Sequence, residues 1–110
     1  MRELGATQLA EWLAELQATG AAAPVLLDVR EAWERQLCTI AGSIHIPMGQ
    51  IPARLHELDR NASIVCICHH GARSARVASF LEGNGYQQTI NLTGGVDAWA
   101  REVDRSMATY

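Results

Sequence analysis

Short apolar runs alternate with helix-like segments along this chain of 110 residues, and that alternation most constrains its fold. The runs stay apolar at consecutive positions, which is typical of strands buried on both faces of a parallel sheet. The sequence predicts strands over residues 25–29, 44–46, 64–68 and 89–92. It predicts helices over residues 7–19, 52–58 and 73–82, a brief helical turn over 31–36, and a last helix opening at Gly94–Gly95. We therefore expect an α/β fold, with a parallel sheet covered by helices on both faces.

The predicted helices carry apolar side chains three and four residues apart, the pattern of a helix that buries one face. The side chains expected to be buried include Val77, Phe80, Leu81 and Val103 and the three tryptophans, Trp12, Trp33 and Trp99. We expect them to form the core against the sheet.

Cys68 lies at the end of the clearest predicted strand, a position that favours a reactive cysteine over one that only packs. A short loop with Gly71 follows it, and a helix begins near Arg73. The unpaired N–H groups of a helix's first turn attract anions, so a thiol facing them loses its proton more readily. Ligands also bind beyond the carboxyl ends of parallel strands. The pattern predicts a nucleophilic Cys68, and the alternative is a buried cysteine that only packs.

The other two cysteines carry a weaker signal. Cys66 lies inside the same strand, where packing is favoured, although strand periodicity puts it on the same side as Cys68 and leaves a resolving role open. Cys38 lies in an unpatterned stretch and is assigned no role. The group Cys66, Cys68, His69 and His70 lacks the paired ligand spacing of structural zinc sites, so no metal or cofactor is predicted.

Composition argues against several classes of protein. A net charge of −3 argues against a nucleic-acid partner held by bulk charge. Three cysteines form no disulfide framework and suit a reducing compartment. No signal peptide is evident, and no segment approaches the roughly 18 consecutive apolar residues of a membrane helix. We expect one cytoplasmic domain over residues 1–110, with no nucleic-acid or membrane partner.

Four segments of the chain occur in the order and spacing of a known family. They are Leu27-Asp28-Val29-Arg30-Glu31, the stretch from Ile40 to Pro47, the loop from Cys68 to Ser74, and Gly94-Gly95-Val96-Asp97-Ala98-Trp99. Over roughly residues 6–102 the chain resembles the rhodanese-like sulfurtransferases in their single-domain form. The resemblance implies a parallel five-stranded sheet, with a fifth strand near residues 4–6 that periodicity does not reveal.

The resemblance also implies a chemistry and a set of site residues. The family's cysteine accepts a sulfane sulfur, becomes a persulfide and passes that sulfur to a nucleophilic acceptor. On this chain the persulfide site is Cys68. The cradle around it is His69, His70, Gly71, Ala72, Arg73 and Ser74. Asp28 and Arg30 are expected to support the loops as a structural ion pair or hydrogen-bond bracket.

Charge and loop length bear on which anion such a loop would hold. Arg73, Arg76 and two histidines would form a positive mouth on an acidic protein, suited to a small dianion such as thiosulfate. Protein tyrosine phosphatases and arsenate-reducing relatives place an arginine after the cysteine and five further residues. Here that position is Ser74, and Arg73 comes one residue early. Because an oxyanion needs a longer ring of amides and an arginine fork, the loop favours sulfur over phosphate.

The sequence therefore predicts a sulfurtransferase. It would move a sulfane sulfur from a small anionic donor, such as thiosulfate, to a thiol or protein acceptor through a Cys68 persulfide. A non-enzymatic sulfur carrier or docking module is the alternative, since a bare catalytic loop suits both. A phosphatase or arsenate reductase is disfavoured by Ser74 at the arginine position.

Overall fold

The computed structural model describes residues 1–110, which form five strands and four α-helices. The strands are β1 (Arg2–Leu4), β2 (Val25–Asp28), β3 (Ile44–His45), β4 (Ser63–Ile67) and β5 (Gln88–Leu92). The helices are α1 (Ala6–Thr19), α2 (Ala32–Leu37), α3 (Ala72–Gly83) and α4 (Gly95–Glu102), and two 3₁₀ segments cover Met48–Gln50 and Pro52–Glu57. None of the helices combines the length and the apolar character needed to cross a bilayer.

The five strands form one parallel sheet in the order β1-β5-β4-β2-β3. In the central strand β4, Cys66 pairs with Leu27 of β2 on one side and with Asn91 of β5 on the other. The predicted five-stranded parallel sheet is confirmed. Its fifth strand, β1, ends before the expected position, because Gly5 is the N-cap of α1 and Ala6 already begins that helix.

A separate hydrophobic core lies on each face of the sheet, since alternate side chains of a strand point to opposite faces. Val65 and Ile67 of β4 pack on the face covered by α1 and α4. Ile64, Cys66 and Cys68 pack on the other face, which α3 covers. The predicted two-sided cover of the sheet is thus confirmed, and Cys68 points to the side on which α3 begins.

Three of the side chains predicted to be buried lie at the surface instead. Trp33, Phe80 and Val103 are exposed by 61%, 39% and 36%, whereas Trp99 is buried and Trp12 is half-buried. The buried residues of α3 are Ser74, Val77, Ala78 and Leu81. This three- and four-residue spacing leaves Phe80 to one side, and Val103 lies just past the end of α4. On α2 the next residue, Glu34, is buried instead of Trp33.

The helix predicted over residues 52–58 is wrong in type. The segment is 3₁₀, with backbone bonds from Arg54 N–H to Ile51 O at 3.1 Å and from Leu58 N–H to Leu55 O at 3.0 Å. Arg54 has a non-helical φ of −116°, which interrupts any α-helical ladder over so short a stretch. Ile51 and Leu58 are nevertheless buried, as apolar spacing predicts.

Candidate active site

The thiol of Cys68 is buried at the base of a tight loop that directly follows β4. The residue is only 1% exposed. Its Sγ accepts a hydrogen bond from Gly71 N–H at 3.0 Å and lies 3.2 Å from Ser74 Oγ. Gly71 is the N-cap of α3 and has a φ of +109°, a left-handed conformation that favours glycine. The loop therefore curls so that the start of α3 meets the sulfur.

The same loop is held from the outside by α4. Val96 N–H donates to Cys68 O at 2.9 Å, and Asp97 N–H donates to His69 O at 3.1 Å. First-turn amides such as these have no partner within their own helix. Gly95 permits the approach, because a Cβ there would overlap both loop carbonyl oxygens. The glycine pair thus brings α4 against the cysteine loop as well as close to the sheet.

A buried polar pair lies beside the thiol. Ser74 Oγ donates to Asn91 Oδ1 at 2.5 Å, and Asn91 Nδ2 donates to Gly71 O at 3.2 Å. Both Ser74 and Asn91 are buried. Asn91 belongs to β5, so the pairing of β5 with β4 brings it to the cysteine loop.

Arg73 is paired with a carboxylate. Its NH1 and NH2 donate to Oε2 and Oε1 of Glu34 on α2 at 2.7 and 2.8 Å, a bidentate ion pair. The hydrogen bonds from Arg73 outweigh burial and, with the backbone N–H of Glu31, lower the pKa of Glu34 to about 2. The expected positive mouth is weaker than predicted, because the Arg73 charge is balanced by Glu34.

Tyr110 closes one side of the loop. Its ring stacks on His69, with centroids 3.8 Å apart and planes 7° from parallel. Its hydroxyl donates to Glu34 Oε1 at 2.9 Å and accepts from Arg30 NH1 at 3.1 Å. Burial, together with the neighbouring His70, lowers the pKa of His69, and burial raises the pKa of Tyr110 to about 12. Burial therefore favours the uncharged form of the His69 ring.

Both the sequence and the fold match known proteins. A family model described as the rhodanese-like domain matches residues 9–102. The chain belongs to the rhodanese-like family. A sulfurtransferase of Allochromatium vinosum is 36% identical over 77 residues, which cover 70% of this chain and 72% of that protein. The putative sulfur carrier protein YrkF of Bacillus subtilis is 37% identical over 79 residues, which cover 72% of this chain and 43% of YrkF.

The solved structures agree with this assignment. The crystal structure of a rhodanese-like domain protein from Staphylococcus aureus superposes with a TM-score of 0.83 at 29% identity, covering 100% of this chain and 99% of that one. The relatives carry names of sulfur transfer or sulfur carriage, so rhodanese-type sulfur chemistry is the general activity of this group.

Two further residues of the rhodanese-like loop lie at its mouth. Ala72 is exposed, and the His70 side chain is 64% exposed. The His70 ring lies over that of His69, with centroids 3.9 Å apart and planes tilted by 31°. Together with Asp97 they offer three potential ligand atoms within 4.8 Å of one another. Asp97 also pairs with Arg101 at 3.0 Å and lies 3.9 Å from His70 Nε2.

Asp28 and Arg30 of this rhodanese-like protein form a buried ion pair. The Arg30 side chain is fully buried, with NH2 donating to Asp28 Oδ2 at 2.8 Å and to Cys38 O at 2.6 Å. Its NH1 donates to Glu34 O at 3.3 Å. The pair therefore fixes the connection from β2 to α2, from which Glu34 reaches Arg73.

The two remaining cysteines are buried and pack in the core. Burial raises the pKa of Cys66 to about 12, so its thiol stays protonated at neutral pH. Cys38 lies on the other side of the sheet, with Sγ accepting from Arg30 NH1 at 3.5 Å.

Sequence analysis missed three residues that shape the rhodanese-like site, namely Glu34, Asn91 and Tyr110. Asn91 offered one signal, an amide inside the apolar strand β5. Glu34 lies 39 positions from Arg73 and 76 positions from Tyr110, and no local periodicity relates residues so far apart.

Proposed function

We propose that this protein is a sulfurtransferase in which Cys68 carries the transferred sulfur as a persulfide. Sulfur donors and acceptors are the general partners of the family's named sulfurtransferases. The single observation that carries the proposal is the Cys68 Sγ, buried under a loop whose Gly71 N–H points at it from 3.0 Å. A sulfur anion at that place gains a charge-assisted hydrogen bond without a side-chain cation.

The proposed reaction has two steps that pass through one covalent intermediate. The Cys68 thiolate attacks the outer sulfur of the donor, a new S–S bond forms, and the donor's S–S bond breaks. With thiosulfate as donor, the electron pair of that bond leaves on sulfite, and the negative charge of the enzyme moves to the outer sulfur. A thiol acceptor, or cyanide in an assay, then attacks the outer sulfur and returns Cys68 to the thiolate.

Two features support sulfur over phosphate as the transferred group. The loop reaches Arg73 one residue earlier than a phosphatase loop reaches its arginine. Both terminal nitrogens of Arg73 are engaged by Glu34, so its guanidinium fork is not free to grip an oxyanion. A sulfur atom needs only the backbone amides.

The burial of Cys68 favours a small donor, and we propose thiosulfate as that donor. The thiosulfate sulfurtransferase GlpE of Ectopseudomonas mendocina is 31% identical to this chain over 85 residues. A carrier role, in which a protein donor loads Cys68, is the second candidate. It is favoured by the similarity to the putative sulfur carrier YrkF.

Intact mass after incubation with thiosulfate tests the proposal. The parent protein should gain the mass of one sulfur atom, and cyanide should reverse the gain. Cys68→Ser should gain nothing, whereas Cys38→Ser, which removes a buried thiol on the other face of the sheet, should gain as the parent does. If the parent gains no sulfur from thiosulfate but gains it from a persulfidated protein, the carrier role replaces the enzymatic one.

A further inference from the structure

The polar pair next to the thiol, Ser74 and Asn91, has its hydrogen-bond directions set by the backbone. Gly71 O can only accept, so Asn91 turns its Nδ2 toward it at 3.2 Å and its Oδ1 toward Ser74. An amide oxygen can only accept, so Ser74 donates its single hydroxyl hydrogen to Asn91, 2.5 Å away. Ser74 Oγ therefore presents a lone pair to Cys68 Sγ at 3.2 Å.

This direction affects the two states of Cys68 differently. In the empty thiolate the charge is on Sγ, and the lone pair of Ser74 opposes it unless Ser74 turns its hydrogen away from Asn91. In the persulfide the charge is on the outer sulfur, and Sγ is a neutral bridging atom that needs no donor. The bond between Ser74 and Asn91 thus disfavours the empty thiolate and does not compete with the persulfide.

We propose that Asn91 is a positioning residue that acts through Ser74 to bias Cys68 toward its sulfur-loaded state. The loaded state rests on the proposed function, whereas the effect on the empty thiolate is measurable without any sulfur transfer. Asn91 touches neither donor nor acceptor, because it is buried in β5 behind Ser74. Asn91 lies outside the cysteine loop, so the sequence of the loop alone does not reveal this effect on Cys68.

Two substitutions at Asn91 should act in opposite directions on Cys68. Asn91→Leu removes the acceptor and frees the Ser74 hydrogen for Sγ. Alkylation of Cys68 by iodoacetamide at neutral pH should become about twofold faster, because one net hydrogen bond raises the thiolate fraction about fivefold, whereas a thiolate of lower pKa is a weaker nucleophile. Asn91→Asp offers Ser74 a stronger acceptor and should slow the reaction. The pH profile of alkylation should move to lower pH in the first variant and to higher pH in the second.

Asn91→Asp also places a charge near Sγ, so the downward shift in Asn91→Leu, and its loss without the Ser74 hydroxyl, distinguish the hydrogen bond from damage to packing. The charged and titratable groups around the loop are Arg73 with Glu34, Arg76, His69, His70, Asp97 and Cys66. All of them, and Tyr110 beside His69, are retained in both variants, and Asn91→Asp adds one further carboxylate, whose charge also disfavours the thiolate. Peptide mapping separates alkylation of Cys68 from that of the other two cysteines. Shifts of the same sign in both variants would overturn the inference.

A Ser74→Ala background tests whether Asn91 acts through Ser74. In that background Asn91→Leu should leave the alkylation profile unchanged, because there is no hydroxyl hydrogen left to redirect. If Asn91→Leu still shifts the profile there, Asn91 acts by another route and the inference is wrong.

The loading equilibrium separates this inference from the proposed function. The ratio of loaded to empty Cys68, read by intact mass at a fixed ratio of thiosulfate to sulfite, should fall about fivefold in Asn91→Leu. If the parent loads sulfur and the variant shows the same ratio, the inference fails and the proposed function stands. If no form of the protein loads sulfur, the thiosulfate reaction fails, and the alkylation profiles still decide the role of Asn91.

Discussion

Replacing Gly95 with alanine tests whether α4 must touch the cysteine loop. The φ of +55° at this position costs an L-residue about 1 kcal/mol. The new Cβ would overlap the carbonyl oxygens of Cys68 and His69, so α4 would have to move away. That movement breaks the hydrogen bonds from Val96 and Asp97 to the loop, each contributing about 1 kcal/mol. We expect the free energy of unfolding to fall by about 3 kcal/mol, a large share of the roughly 5–15 kcal/mol of a typical domain.

The same substitution should impair Cys68 while the protein is still folded. The two carbonyl groups that α4 fixes belong to Cys68 and His69, and their release lets the loop relax away from the Gly71 amide. Urea denaturation followed by tryptophan fluorescence gives the free energy of unfolding. Intact mass after thiosulfate treatment in native buffer gives sulfur loading, which should fall below that of the parent.

Gly83→Ala is the matched control for this experiment. Gly83 lies at the end of α3 in a right-handed conformation, and a Cβ there would meet nothing within 4 Å. Alanine should leave its stability unchanged or raise it by up to about 1 kcal/mol. If Gly95→Ala unfolds within about 0.5 kcal/mol of the parent, and loads sulfur normally, the contact between α4 and the loop does not hold the site.

The remaining predictions concern Glu34 and Tyr110. Glu34→Gln should lower the free energy of unfolding by about 3 kcal/mol because Arg73 loses its counter-charge. Urea denaturation measures this, and Glu57→Gln, at an exposed ion pair, should cost less. Because folding lowers the pKa of Glu34 from 4.5 to about 2, its stabilisation of about 3 kcal/mol is complete above pH 4.5 and is lost as the pH falls through about 2. Equal acid sensitivity in the parent and in Glu34→Gln would contradict that account. Tyr110→Ala should raise the pKa of His69 toward 6.5 in an NMR titration, because it uncovers the ring. Tyr110→Phe keeps the stacked ring and should leave that pKa near the parent value, so a shift in both variants, or in neither, would refute the stacking argument.

The local sequence pattern predicts the strands and helices of this fold better than it predicts which of their side chains are buried. The strand, loop and helix around Cys68 follow from a continuous apolar run, one glycine and helical spacing, all within a short stretch of chain. The prediction that Phe80 is buried is wrong because the buried face of α3 includes a serine, Ser74, which a hydrophobicity pattern does not identify. Trp33 was misplaced because a large apolar side chain is not always buried, and here its neighbour Glu34 is buried instead.

The partners of the site residues could not be read from the sequence for a different reason. The sequence predicts a free cation at Arg73 because the carboxylate that neutralises it lies on another helix, α2. Ser74 looked like a group for substrate because its acceptor, Asn91, belongs to a neighbouring strand. Such contacts depend on strand order and on how the ends of the chain fold back, and a single sequence encodes neither in its spacing.

The two-sided burial of β4 has a consequence for insertions and deletions. One residue added to this strand before Cys68 would exchange the side chains of its two faces. Both faces of β4 are apolar, so the exchange would change little of what the sheet buries. The sulfur, however, would then point toward α1 and α4, away from the Gly71 amide. Apolar burial therefore does not fix the parity of β4, whereas the nucleophile depends on it. A measurement of stability would report only the repacking of the two cores, and a measurement on the thiol would detect the lost nucleophile.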